Sequence, residues 1–230
     1  MTDLPDEWFK PLEKDDVYFR PFVFDGNPLD IPKRESIFLV GINPATKITT
    51  KNKSLDEIKR LLCDRKELNS FLEKERGKVS KTRKEIGKLV ELIGTNIKVI
   101  ETDVCAYPTK DLRELKNFRK NQEYKNRIER GIKIFKELLI SVQPKIIIVY
   151  GKYAIKELRK EYRIEGLEKK FSIKADKSSA KDRVYKMHLI DCGYKVSIIL
   201  APHFSRNQIS ERDIKYIAEK IKDMWAKGTG

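Results

Sequence analysis

Apolar positions along this chain follow two rhythms. Four short runs, Ser36 to Ile42, Ile97 to Val104, Lys145 to Tyr150 and Val196 to Ala201, are rich in β-branched residues and mostly apolar, the pattern of strands covered on both faces. Between and after them, the charged segments Ser54 to Ile93, Arg113 to Ser141, Tyr153 to Tyr162 and Asn207 to Trp225 repeat their apolar residues with helical spacing. This alternation predicts an α/β fold, a three-layer αβα sandwich around a mostly parallel, four-stranded sheet. Val184 to Ile190 reads as a further strand, and the turn-prone Asp191 to Tyr194 after it would make it antiparallel to the last run.

The remaining segments read as additions to one domain spanning residues 1–230. Residues 1–34 hold five of the nine prolines and predict an extended arm, packed by Trp8, Phe9, Phe19, Phe22 and Phe24. Residues 47–93 are longer than one crossover helix needs and form a helical insertion, with Gly77 and Ser80 marking a break into two helices. Ala175 to Arg183 reads as a solvent-exposed loop.

Charge changes the picture from fold to partner. The 230 residues carry a formal net charge of +15, a field whose usual partners are nucleic-acid phosphate or an anionic membrane surface. A lysine-rich surface can also merely solvate helices. No apolar run approaches the ~20 residues of a membrane-spanning helix, and Met1 to Lys10 lacks the apolar stretch of a signal peptide, so a cytoplasmic protein without a membrane partner is expected. Cys63, Cys105 and Cys192 are widely spaced with no Cys-x-x-Cys pair, which argues for buried thiols and against a disulfide framework or metal site.

In parallel α/β sheets, ligands settle beyond the carboxyl ends of the strands, so the residues following each run are the candidates for chemistry. After the first run come Gly41, Ile42, Asn43, Pro44 and Ala45. The second ends in Asp103 and leads to Tyr107 and Pro108, and the last leads to His203, Phe204, Ser205, Arg206 and Asn207. Asn43 and His203 are 160 positions apart, and only a sheet of this topology would bring them together. Each residue also has an ordinary reading: Asn43 before Pro44 as a turn, Asp103 as an acceptor of backbone hydrogen bonds, His203 as a helix cap.

In order and placement, these motifs resemble the uracil-DNA glycosylase superfamily. Gly41, Ile42, Asn43 and Pro44 match the first motif of its mismatch-specific uracil/thymine branch, with Ala45 in place of glycine. His203 and Ser205 match the first and third places of its His-Pro-Ser motif, and Tyr150 to Ala154 look like its third strand turning into a helix. The resemblance spans roughly Ile37 to Arg206 and implies a monomeric, metal-free and cofactor-free DNA glycosylase acting in DNA repair. Such an enzyme hydrolyses the N-glycosidic bond of a flipped uracil, mismatched thymine or modified pyrimidine and leaves an abasic site.

By the same resemblance, Asn43 would hold the attacking water, and His203 would steady negative charge on the departing base. Gly41, Ile42, Ala45, Asp103 and Phe204 would bind the base, while Lys47, Lys110, Lys152, Ser205, Arg206 and Asn207 would contact DNA. The basic segments from Lys110 to Lys136 would add phosphate contacts. The chain departs from the family in three ways. Asp103 stands where the family often has asparagine, and a carboxylate cannot donate to a pyrimidine carbonyl. Ala45 replaces the tyrosine with which the uracil-specific branch excludes a methyl group. No aromatic residue occurs between Lys47 and Ile58 to stack on the base, so Phe204 or Tyr107 would have to do so. These departures keep open a rival reading, a non-catalytic nucleic-acid-binding protein that retains the fold. The iron-sulfur branches are excluded, because they need four cysteines and the chain has three. No Gly-rich phosphate loop follows the first strand, which counts against a nucleotide-hydrolysing protein.

Overall fold

A computed structural model describes residues 3–77, 80–162, 164–165, 186–189, 194, 196–204 and 209–227. The four apolar runs form β2 (Ser36–Gly41), β3 (Lys98–Asp103), β4 (Ile146–Tyr150) and β7 (Val196–Ala201). All four are parallel, in the spatial order β3-β2-β4-β7.

The sheet is wider than the four expected strands. The arm contributes β1 (Phe22–Val23), antiparallel to β3 at one edge. At the other edge, β5 (Ile164–Glu165) and β6 (Lys186–Leu189) are antiparallel additions, β6 pairing with β7 as the turn-prone segment implied. The full order is β1-β3-β2-β4-β7-β6-β5.

Side-chain alternation divides the core into two layers. Phe38, Val40, Ile147, Val149, Ile198 and Leu200 face one way, onto α1 (Leu55–Leu62), α2 (Arg65–Arg76), α5 (Gln122–Val142) and α6 (Lys152–Glu161). Ile37, Leu39, Ile146, Ile148 and Ile199 face the other way, onto α3 (Lys81–Ile93) and α7 (Glu211–Ala226). Burial on both faces is why the central strands show no polar alternation.

Two long helical segments break more often than periodicity implied. Gly77, at φ 68°, ends α2 and Ser80 caps α3, as expected. The additional break falls at Cys63 and Asp64, where the Asp64 carboxylate accepts the Glu67 N–H and restarts the helix, giving three helices between 55 and 93. Asn121 divides Arg113 to Ser141 in the same way. It ends α4 (Leu112–Lys120) in an extended conformation, and its side chain caps α5.

The arm is part of the core rather than a cover on it. Trp8, Phe9, Phe19, Phe22 and Phe24 are all buried, and the Trp8 indole donates to Glu137 at 2.8 Å. The Ala175 to Arg183 loop expectation lies outside the described residues. Among the described residues no helix is long and apolar enough to cross a membrane.

Candidate functional site

Because β2, β3, β4 and β7 are parallel, their carboxyl ends open onto one edge of the sheet. A cavity of about 200 Å³ lies there. Ile42, Asn43, Pro44, Ala45 and Thr46 line it after β2, with Asp103 from β3, Tyr150 from β4 and His203 after β7. The volume is below the roughly 300 to 1,000 Å³ of drug-sized ligand sites and suits a single small ring.

Asn43 is oriented by three acceptors around its amide nitrogen. Nδ2 donates to the Thr109 hydroxyl at 2.7 Å, the Pro44 carbonyl at 3.1 Å and the Thr109 carbonyl at 3.3 Å. Its donors are thus committed to the protein, and the amide oxygen is the end left to accept from a ligand or water. Thr109 is itself fixed, its N–H donating to the Pro44 carbonyl and its hydroxyl to the Asp111 carbonyl, each at 3.0 Å.

Gly41 is not itself among the residues lining the cavity, where its expected base-binding role would place it. An atom at the Cβ position would lie 2.3 Å from Asp103 Oδ1 and 2.5 Å from the Tyr150 hydroxyl, so those two groups cover its Cα. The glycine is needed because they converge on it. Tyr150 is driven further above its ordinary pKa, first by burial and then by the charges of Asp103 and Glu101, and stays a neutral donor. Desolvation pushes the Asp103 carboxyl up to about 7 against the attraction of Arg20 and Arg83, with Glu101 adding to the rise.

His203 sits half-buried at the rim, edge-on to the Tyr150 ring with centroids 5.7 Å apart. A Cβ on Gly151 would come within 2.8 Å of its ring, and Gly151 has a φ of +86°. Phe204 is displaced from its expected role. It is fully buried under Tyr150, at 5.0 Å between ring centroids, and does not line the cavity. Tyr107 is also buried elsewhere, its hydroxyl donating to Asp15 at 3.0 Å. The aromatic walls are instead Tyr150 and Phe22, the latter from the arm.

Two cations on the wall, one buried and one half-buried, were not legible in the sequence. Arg20 enters from the arm, 4% exposed, and Arg83 from the first turn of α3. Arg83 donates to Glu101, whose other oxygen accepts from Arg65 Nε at 2.9 Å, while Arg65 Nη2 donates to the Val99 carbonyl at 2.7 Å. The one readable signal was Glu101, an acid inside an apolar strand, which needs a buried partner.

Of the expected DNA contacts, Lys110 and Lys152 are exposed. Lys47 pairs with Glu114 at 2.9 Å. Ser205, Arg206 and Asn207 lie outside the described residues. The segment 110–136 is less free than its composition suggests, because Arg119, Lys125, Arg127, Lys133 and Lys136 all engage carboxylates.

Cys105 is buried and its thiol is raised to about 12, while Cys63, half-buried, is raised to about 11, both by desolvation. Among the described residues no group of three or more His, Cys, Asp and Glu could hold a metal ion. No family model and no curated protein matches this chain.

Proposed function

We propose that this chain is a monofunctional DNA glycosylase that hydrolyses the N-glycosidic bond of a flipped pyrimidine and leaves an abasic site. The observation that carries the reading is the meeting of Asn43 and His203 in one small cavity at the carboxyl ends of the parallel strands, with Tyr150 between them in the strand order and Asp103 on the far side of Asn43.

The chemistry suits these groups. The bond breaks through an oxocarbenium-like sugar while negative charge grows on the base, so fixed dipoles and donors do most of the work. The Asn43 amide oxygen accepts from the attacking water, and His203 faces the charge on the departing base. Asp103 reads the pyrimidine edge. An ionised carboxylate cannot donate to a carbonyl, but an acid raised to about 7 keeps its proton in a substantial fraction of molecules at neutral pH. A neutral carboxyl both donates and accepts. Tyr150 and Phe22 supply the apolar walls against which the ring packs, and Ala45 leaves space for a 5-substituent. The base is therefore uracil, mismatched thymine or a modified pyrimidine, and exposed Lys110 and Lys152 supply phosphate contacts.

The test uses oligonucleotides carrying uracil, mismatched thymine or a 5-modified pyrimidine, incubated with the protein and then treated with alkali to cut abasic sites. Cleavage at one of these bases supports the reading. Retention of DNA with no cleavage of any substrate overturns it in favour of a binding protein that keeps the fold.

A further inference from the structure

Tyr150 ends β4 and Asp103 ends β3, and both side chains reach over Gly41 at the end of β2, the strand between them. The Tyr150 hydroxyl and Asp103 Oδ1 lie within 2.5 Å of one point, the position that a Cβ on Gly41 would take, so the two oxygens sit side by side on the cavity wall. The Tyr150 ring is clamped. It meets His203 and the fully buried Phe204 edge-on, with centroids at 5.7 and 5.0 Å, and these contacts fix where its hydroxyl oxygen sits.

Among the described residues, neither oxygen is taken up in a hydrogen bond. Both groups nevertheless hold a proton to give. Burial first, and then the charges of Asp103 and Glu101 against that of Arg83, keep the Tyr150 phenol neutral. Desolvation raises Asp103 to about 7 against Arg20 and Arg83, with Glu101 adding to the rise, so the neutral acid is well populated at neutral pH. A phenol and a neutral carboxyl each donate one hydrogen bond. Two adjacent donors facing a small, largely desolvated cavity are an arrangement that holds an oxyanion, and enzymes use this same pairing of tyrosine with a protonated acid for that purpose.

Resting on the glycosylase reading, we infer that Tyr150 is a catalytic residue: its hydroxyl, beside the Asp103 carboxyl, donates to a carbonyl oxygen of the departing pyrimidine and holds the negative charge that builds there. In that step the C1′–N1 bond breaks and its electron pair goes to the base, where it spreads from N1 onto O2 and, through the C5–C6 double bond, onto O4. The water oxygen bonds to C1′, and the proton it releases passes through solvent to the base anion, giving the neutral free base. A carbonyl oxygen has two lone pairs and accepts from both donors at once. Each of these hydrogen bonds strengthens as the oxygen gains charge, so the pair acts mainly in the transition state. Because the clamped ring already holds its hydroxyl in place, little reorganisation is needed when the charge appears.

The test is single-turnover base release by wild type and Tyr150→Phe on duplexes carrying uracil and 5-halogenated uracils, whose anions are better leaving groups. Tyr150→Phe removes one oxygen and keeps the ring against His203 and Phe204. It is expected to slow uracil release about a hundredfold, with the defect shrinking as the leaving base becomes more acidic, while binding to an abasic-site duplex is unchanged. A merely structural role predicts the same loss for every leaving base, and that result, or a wild-type rate in Tyr150→Phe, overturns the inference. If urea unfolding shows that Tyr150→Phe folds poorly, replacement of Tyr150 by 3-fluorotyrosine keeps the ring and makes the hydroxyl more acidic. The dependence of rate on leaving base should then differ from wild type, and an unchanged dependence overturns the inference. Absence of base release by wild type on any substrate is a separate outcome: it removes the glycosylase reading and this inference with it.

Discussion

The side-chain amide of Asn43 donates to the hydroxyl of Thr109 at 2.7 Å, tying the turn after β2 to the loop after β3. This bond turns the amide oxygen away from the protein's own donors. Asn43→Ala should therefore lower single-turnover base release about a hundredfold, the scale of losing one preorganised transition-state dipole. Thr109→Val should cost about tenfold by loosening the amide. Both should leave abasic-site DNA affinity near wild type. Base release at the wild-type rate by Asn43→Ala would reduce the motif to a turn.

Asp103 gives the site a pH dependence of definite sign. Its ordinary pKa of 3.8 is raised to about 7 in the fold, first by desolvation, while Arg20 and Arg83 oppose the rise and Glu101 adds to it. Below about 7 the carboxyl is neutral and can donate to a pyrimidine carbonyl. Above it, the group is an acceptor only and places negative charge beside the departing base. Release of uracil should therefore fall as pH rises through about 7, and Asp103→Asn, a permanently neutral donor, should flatten that limb. The same shift means that the group's contribution to folding stability declines as pH rises from 3.8 toward 7, and this decline should be absent in Asp103→Asn. A pH profile unchanged by the substitution would refute the role.

Gly41 has no room for a methyl group, since its Cβ would meet Asp103 Oδ1 at 2.3 Å and the Tyr150 hydroxyl at 2.5 Å. Overpacking of this kind costs about 1 to 3 kcal/mol. Gly41→Ala should lower the unfolding free energy by that amount, read as a lower denaturant midpoint, and also impair base release, because both displaced side chains line the cavity. Unaltered stability and activity together would show that Asp103 and Tyr150 can move aside freely.

Glu101, its side chain 8% exposed, pairs with two guanidiniums, Arg83 on the cavity wall and Arg65 behind it, which also reaches Asp25 at 3.3 Å. Removing one partner of a buried ion pair costs about 3 to 5 kcal/mol, because the other charge stays buried without compensation. Glu101→Gln should lose stability on that scale in urea unfolding. A loss under 1 kcal/mol would mean that the arginines reach water.

DNA affinity should fall steeply with salt, as the chain's +15 charge would release several counterions on meeting phosphate. Fluorescence anisotropy from low to physiological salt measures the slope. Lys152→Ala should lower that slope by about one counterion without changing which base is released. A flat salt dependence would refute a phosphate-dominated interface.

The central strands were legible in the sequence because burial on both faces leaves a local trace. Ile146 to Val149 can be read as a strand without knowing what covers it. The break at Gly77 and Ser80 was equally local, since left-handed backbone and a capping hydroxyl act within a few residues. Parallel topology then located Asn43, Asp103 and His203 at one rim before any contact was known. The tertiary structure alone decided what shares that rim with them. Arg20 and Phe22 belong to an arm whose composition says only that it is extended and aromatic, yet pairing of β1 with β3 carries both to the cavity. Phe204, a direct neighbour of His203 in sequence, was drawn under Tyr150 instead. Strand identity depends on each residue's own preference for a buried, pleated environment. The cavity wall depends on long-range packing among segments that carry no information about one another until they meet.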